Sequence, residues 1–323
     1  SILVSIGSGF PPEIDLDFNT GEPSPVDGFL ENPYQSLNFS YLECRSEYGQ
    51  AYYRNADLET LEGQEVWLLD ESDTTNVEFK RCILFIDQEY FIIRDNINSQ
   101  SENNYAWRFH ANAGGDTEGI IVEQDYGAII SSFEDNPTNL LIHITTPSDD
   151  PILSYPISIH SDEVLGPSFY QEHKVIQAEQ NGIDTEFLTV LYPYQNGEIN
   201  IEPIESSDQF TGLYVERLSD RYDIILSQSN NILIEINGFR SVNGDSVPSI
   251  QTRANFALIS FEKNENFNLD GLKIFGKDDS ENNSVIINSP SIFFKLNGFS
   301  LSFSTLLLYS LITSSSKSVS IRK

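Results

Sequence analysis

The stretch that decides the fold is "YFIIRDNINSQSENNYAWRFHANAGG", residues 90–115. Apolar and polar side chains alternate in both of its halves. Successive side chains of a β-strand point to opposite faces of a sheet, so this alternation predicts two strand segments with one buried face each. In the second segment Tyr105 and Trp107 share one face, whereas Arg108 and His110 share the other.

The rest of the chain has the same strand-forming texture. From residue 37 onward, short runs rich in β-branched and aromatic residues recur about every 8–12 positions, separated by Asn, Gly, Asp and Ser. Apolar stripes with the 3.6-residue period of a helix extend over no more than about two turns. Only residues 171–182 fit a short helix about as well as a strand. We therefore predict an all-β protein, a large antiparallel β-sandwich with low helix content.

Composition divides the chain into three parts. Residues 1–36 contain 5 of the 14 prolines, and proline fixes φ and lacks an N–H donor, so we expect an irregular N-terminal arm. The strand-rich residues 37–290 are predicted to form the sandwich domain. Residues 291–323 would be a closing strand and C-terminal tail, whose apolar run at 301–312 is too short for a membrane-spanning helix. A weak surface anchor is the alternative for this tail.

The charge balance restricts the partners. There are 49 acidic and 18 basic residues, for a net charge of −31. Such a chain repels phosphate backbones, which excludes nucleic-acid binding. The same field repels anionic polysaccharides unless cations or a local basic patch intervene. An acidic surface is typical of secreted or salt-exposed proteins, although it also serves solubility, and we predict an extracellular or cell-surface location.

The order of the strand motifs resembles a known enzyme family. "RCILF" (81–85), "YFIIRD" (90–95), "YAWRFH" (105–110) and "EFLTVLYPY" (186–194) follow one another as in the β-sandwich half of the heparinase II/III-like polysaccharide lyases. The resemblance covers about residues 37–275 and implies a lyase-type super-sandwich.

In such lyases an α/α toroid supplies the groups that cleave uronic-acid polysaccharides by β-elimination. We find here neither a segment suited to that toroid nor the family's early His-Asn pair. We therefore expect no catalytic residues and a non-catalytic extracellular module with a carbohydrate-facing, structural or assembly role. Its partners would be a polysaccharide or other protein subunits, copies of the chain included. The alternative is the sandwich subunit or fragment of a uronic-acid lyase, so enzyme status stays open.

The resemblance also implies a metal site. Asp95 and His110 stand where the lyase sandwich holds a structural divalent cation, and carboxylate and imidazole suit zinc. The alternative for His110 is a hydrogen-bonded structural histidine at the strand end. If Asp95 is buried, it requires a donor, and Arg81 and Arg94 are the candidates.

Two Asp-rich loops, residues 70–76 and 276–283, are candidates for calcium, which prefers oxygen ligands. Neither has the glycine-punctuated spacing of an EF-hand. Solvated turns are the alternative.

Carbohydrate binding by a β-sandwich commonly uses exposed aromatic rings. Tyr105 and Trp107, together with Arg108, which directly follows Trp107 in sequence, are the predicted carbohydrate-binding residues. The alternative is that both rings belong to the core.

The remaining histidines and the two cysteines give weaker signals. We expect His143 to pack within a strand or lie at the surface. His160 and His173 lie near tyrosines in sequence, but no spacing links them into a catalytic group. Cys44 and Cys82 lie in two predicted strands; if these strands are neighbours, a disulfide is one outcome, and two unpaired thiols are the alternative.

Overall fold

The structure is a computed structural model that describes most of the chain. The described residues are 2–6, 28–35, 39–48, 51–59, 65–70, 77–115, 119–132, 137–146, 151–161, 170–204, 210–219, 221–229, 232–236, 239–240, 246–247, 249–252, 254–262, 273–277, 284–289, 292–297, 301–302 and 320–322. Within these ranges every regular element is a strand and the pairings are antiparallel. The all-β prediction is confirmed.

The chain divides into two compact units, residues 1–195 and 196–323. The sequence predicted one sandwich domain over 37–290. The structure has two units where the sequence predicted one domain. Each described sheet takes all its strands from one unit, so no described strand pairs across the boundary.

The first unit is built around one large sheet. Its strands are β1 (Ile2–Ile6), β2 (Gly28–Gln35), β3 (Phe39–Tyr48), β4 (Ala51–Glu59), β5 (Glu65–Asp70), β6 (Val77–Ile86), β7 (Tyr90–His110), β8 (Ile120–Gln124), β9 (Gly127–Ser131), β10 (Asn139–Thr145), β11 (Ile152–Ser154), β12 (Ile157–Ser161) and β13 (Tyr170–Tyr194). The order of the sheet is β2-β3-β6-β7-β13-β10-β9-β8. In addition β1 pairs with β7, β11 and β12 pair with β13, and β4 and β5 form a separate ribbon.

The centre of this sheet is the pair of long strands β7 and β13, with 21 and 25 residues. Their register shifts once, between Gly182 and Asp184, and such an irregularity bends a strand pair. On one side of the shift, β6 and β10 flank the half that contains Asp95. On the other side, β1, β11 and β12 flank the half that contains Arg108. Residues 171–182 are therefore strand, which settles the helix alternative.

The sheet folds over at this bend. The hairpin of β8 and β9 is joined through β10 to the Asp95 half of the pair. Yet the Tyr155 hydroxyl donates to the Gly127 carbonyl, and Lys174 Nζ lies 3.3 Å from Glu123 Oε1, which ties the hairpin to the other half. The two halves consequently share one buried core, formed by Val77, Ile93, Ile97, Tyr105, Trp107, Ala128, Ile142, Ile144, Ile176, Ala178, Phe187 and Leu191.

The second unit is a sandwich of two sheets. Its strands are β14 (Asn200–Ile204), β15 (Thr211–Glu216), β16 (Arg221–Ser227), β17 (Ile234–Ile236), β18 (Phe239–Arg240), β19 (Ser246–Val247), β20 (Ser249–Thr252), β21 (Phe256–Glu262), β22 (Lys273–Lys277), β23 (Ser284–Ser289), β24 (Ile292–Asn297), β25 (Leu301–Ser302) and β26 (Ser320–Arg322). The sheets have the orders β14-β15-β16-β21-β22-β25 and β17-β20-β23-β24-β26, and β18 pairs with β19. Tyr222 and Ile259 of the first sheet and Ile236 and Ile250 of the second belong to one core.

The two ends of the chain differ in part from expectation. Within the predicted irregular arm, the described residues form β1 and β2, which pair with β7 and β3. In the pairing of β1 with β7, Val4 lies opposite Trp107. The other arm residues, and most of the apolar run at 301–312, lie outside the described residues. The described residues include no helix long and apolar enough to cross a membrane.

Candidate functional site

A row of polar side chains lies on the outer face of the bent pair, opposite the core. The register places Arg108 opposite Gln177 and His110 opposite Val175. Because strand side chains alternate, His173 and Glu179 share this face with Gln177. We call Arg108, His110, His173, Gln177 and Glu179 the polar row.

Arg108 is bound to a neutral partner. Its Nε donates to Gln177 Oε1 over 2.6 Å, and Gln177 Nε2 donates in turn to Glu179 Oε1. By contrast, the guanidinium groups of Arg81 and Arg94 donate to carboxylates. An amide does not neutralise a guanidinium, which has five N–H donors. Arg108 is only partly buried, so its charge is available to a ligand on this face.

Two histidines form the end of the row. His110 Nδ1 and His173 Nε2 lie 2.9 Å apart, so one ring donates to the other. The chain turns away directly afterwards at Gly114 and Gly115, both with positive φ (73° and 59°). A Cβ at Gly115 would lie 2.6 Å from the Glu172 carbonyl oxygen, so glycine is required there. His110 thus has the hydrogen-bonded role that the sequence offered as the alternative to a metal ligand.

His173 is the residue that sequence reasoning missed. It is 63 positions from His110, and only the β7/β13 register brings the two rings together. The prediction considered His173 beside His160 and nearby tyrosines, because these are close in sequence. A local sequence motif does not indicate which residue of a distant strand will be the partner.

The predicted aromatic sugar-binding residues are in the core. Tyr105 and Trp107 are both 0% exposed and belong to the buried cluster of the first unit. A ring that stacks on a sugar must present an open face, and these two rings present none. Both rings therefore belong to the core, which was the alternative prediction. Of the three predicted carbohydrate-binding residues, only Arg108 lies on the outer face.

Asp95 is held by an arginine. Arg81 Nε donates to Oδ1 over 2.6 Å and Arg81 Nη2 to Oδ2 over 2.7 Å, while Asp95 is fully buried. This confirms the expectation of an arginine donor. It also means that Asp95 and His110 are engaged with different partners in different halves of β7.

The described residues contain no group of three or more His, Cys, Asp or Glu side chains suited to a metal ion. The zinc or calcium site stays a prediction without an observed ligand set. The two Asp-rich loops lie outside the described residues, apart from residues 70, 276 and 277.

The two cysteines are free thiols. Cys44 lies opposite Arg81 and Cys82 lies opposite Glu43, so the two side chains point to opposite faces of the sheet. Burial raises the pKa of Cys82 to about 11, and burial also raises the pKa of Cys44. Neither thiol is therefore poised as a nucleophile.

His143 is a packing residue. It is buried, and its ring lies 5.2 Å from that of Tyr126. Burial lowers the pKa of His143 to about 4, so the imidazole is neutral at physiological pH.

Comparison with known proteins gives a structural likeness only. No family model matches the chain, and no curated protein matches it. Among solved structures, heparinase III is similar over 62% of this chain and 27% of its own, with 12% identity and a TM-score of 0.42. The heparan sulfate lyase HepC from Pedobacter heparinus is similar over 58% and 26%, with 16% identity and a TM-score of 0.39. The chain thus spans about a quarter of the length of either of these two proteins.

Proposed function

We propose that this chain is a non-catalytic extracellular module that binds carbohydrate through the polar row. The observation that carries the proposal is the contact of Arg108 with the neutral amide of Gln177. Guanidinium, amide, carboxylate and imidazole groups stand side by side on one sheet face. Such groups offer the convergent donors and acceptors that a sugar's hydroxyls require.

The charge of the chain favours a neutral glycan. With a net charge of −31, a densely anionic polysaccharide is repelled at long range, and Arg108 alone does not reverse that field. We expect neutral polysaccharides to bind more tightly than uronic-acid polysaccharides at low ionic strength. Added salt should reduce the difference, because it screens the repulsion.

The test is calorimetric titration of the protein with soluble polysaccharides of both kinds. Arg108→Ala should weaken binding about tenfold or more, because a hydrogen bond to a charged group contributes about 1.5–3 kcal/mol. Lys174→Ala is the matched control, since it removes one positive charge from the opposite face of β13. Equal losses in the two variants, or no binding to any polysaccharide, would contradict the proposal.

The order of the strand motifs favours a second candidate, the sandwich part of a uronic-acid polysaccharide lyase. β-Elimination gives an unsaturated product that absorbs in the ultraviolet. A rise in absorbance proportional to added protein, absent after heat denaturation, would replace the non-catalytic proposal. An absorbance trace that stays flat, combined with polysaccharide binding that depends on Arg108, would support the non-catalytic proposal.

A further inference from the structure

A lysine, an asparagine and a glutamate lie together on three adjacent strands of the first unit. The register places Lys80 of β6 directly opposite Asn96 of β7, and directly opposed residues have Cβ atoms about 4.5–5.5 Å apart on one face. From the neighbouring strand β3, Glu43 extends over the same face, and its Oε2 lies 3.5 Å from Lys80 Nζ. Lysine carries its amine on a flexible four-carbon stem, which is long enough to turn from Glu43 to the Asn96 carboxamide.

Water is largely excluded from these three side chains. Glu43 is 1% exposed and Asn96 is 8% exposed, and the side chain of Lys80 is 19% exposed. Such side chains are mostly found at the surface of proteins. In a site with little water, charges and dipoles act more strongly on a reacting group than they do in solution.

The surroundings of Lys80 suit a nucleophile. A lysine attacks a carbonyl carbon as the neutral amine, and an adjacent base that removes the ammonium proton activates it. The Glu43 carboxylate is in position to be that base. On β3, Arg45 lies directly opposite Lys80, and a neighbouring cationic group is another feature that activates a lysine.

The surroundings of Asn96 suit an electrophile. Asn98 Nδ2 donates to Asn96 Oδ1 over 3.1 Å. This hydrogen bond draws electron density away from the Asn96 carboxamide carbon. It also stabilises the negative charge that develops on Oδ1 when a nucleophile attacks that carbon.

We propose that Lys80 and Asn96 react with each other to form an isopeptide bond between β6 and β7. Glu43 takes one proton from the Lys80 ammonium, and the neutral amine attacks Asn96 Cγ. Glu43 passes this proton to Asn96 Nδ2 and takes a second proton from the attacking nitrogen. The Cγ–Nδ2 bond breaks, and the nitrogen leaves as ammonia, which accepts the second proton. The products are a Lys80–Asn96 amide and one ammonium ion, so no oxidant or added reactant is needed.

Intact mass spectrometry of the full chain tests the proposal. The wild-type protein should be lighter than its sequence mass by one ammonia, and a digest should contain the segments around Lys80 and Asn96 joined as one peptide. Lys80→Arg and Asn96→Ala should both have their full sequence mass, because each lacks one reacting group. Glu43→Gln should also have its full mass, because it keeps both reacting groups but lacks the base.

Glu123→Gln is the matched control for Glu43→Gln. Glu123 also faces a lysine, with Oε1 3.3 Å from Lys174 Nζ, but this pair is far more exposed. The control should therefore lose one ammonia as the wild type does. Lys80→Arg keeps the positive charge beside Glu43, so an unchanged circular dichroism spectrum will show that this variant is folded.

Three results would overturn the proposal. The first is a wild-type protein with its full sequence mass. The second is an ammonia loss that persists in Lys80→Arg, since the loss would then come from another reaction, such as ring closure at an asparagine. The third is an ammonia loss that persists in Glu43→Gln, which would remove the assigned base. None of these results depends on carbohydrate binding.

Discussion

Arg94 and Glu186 are 92 positions apart in sequence, yet Arg94 Nε donates to Glu186 Oε2 over 2.9 Å across the central strand pair. Both side chains are only 2% exposed. Two ions so deeply buried depend on protein partners for stabilisation, because water no longer solvates them.

Removal of one partner should therefore destabilise the first unit strongly. We expect Glu186→Ala to lower the free energy of unfolding by about 3–5 kcal/mol, because the Arg94 charge remains buried. The double variant Arg94→Met/Glu186→Leu removes both charges of the pair, so that neither is left without the other, and should lose much less. Urea unfolding measures both. A double variant less stable than the single variant would contradict this expectation.

The buried His143 should make stability depend on pH. Its folded pKa of about 4 lies below the ordinary value of 6.5, so as pH falls the unfolded chain takes up the proton first. The contribution of the neutral, buried His143 imidazole to stability is fully present above about pH 6.5 and is lost progressively toward pH 4. Between pH 7 and pH 4.5 we expect His143→Phe to lose about 2 kcal/mol less stability than the wild type. Identical losses would contradict the burial argument.

The thiols should be distinguishable by labelling. Cys82 is 1% exposed and its pKa is raised to about 11, whereas Cys44 is only half-buried. A thiol reagent should modify Cys44 first in the folded protein and both cysteines after unfolding, as followed by mass spectrometry. Single Cys→Ala variants identify each site. Equal rates in the folded state would contradict the assigned burial.

A glycine in β9 should resist substitution. A Cβ at Gly127 would overlap the Ile142 carbonyl oxygen on β10, so Gly127→Ala should destabilise by about 2 kcal/mol or more. At Gly182 the nearest atom would be 3.3 Å away. Gly182→Ala should consequently have a much smaller effect. Thermal unfolding of the two variants makes the comparison, and equal shifts in Tm would contradict it.

The sequence patterns correctly predicted features of the structure that depend on nearby residues. Alternation assigned Arg108 and Trp107 to opposite faces, and burial of a carboxylate required the arginine that Asp95 has in Arg81. The turn between β6 and β7, where Asp87 and Gln88 have positive φ (48° and 60°), is a local feature of the same kind. Each of these features depends on neighbours a few residues away or on one adjacent strand.

The patterns failed where long-range register decides. Alternation shows that Tyr105 and Trp107 share a face but not whether the core or the solvent covers it. The partner of His110 depends on where β13 begins to pair with β7. Nor does alternation reveal where a sheet ends, so the boundary between the two units was not predicted.

The pairing of β7 with β13 supports the polar row, the core position of Trp107 and the proposed function together. It is tested most directly by a disulfide between Arg108→Cys and Gln177→Cys in a Cys44→Ala/Cys82→Ala background. Directly opposed antiparallel residues have Cα atoms about 4.5–5.5 Å apart, within the range for a disulfide. The account predicts rapid oxidation of this pair, seen as a loss of free thiols by mass spectrometry, and no intramolecular bond for Arg108→Cys with Ala178→Cys. Bond formation only in the second variant would show that the register, and with it the polar row, is incorrect.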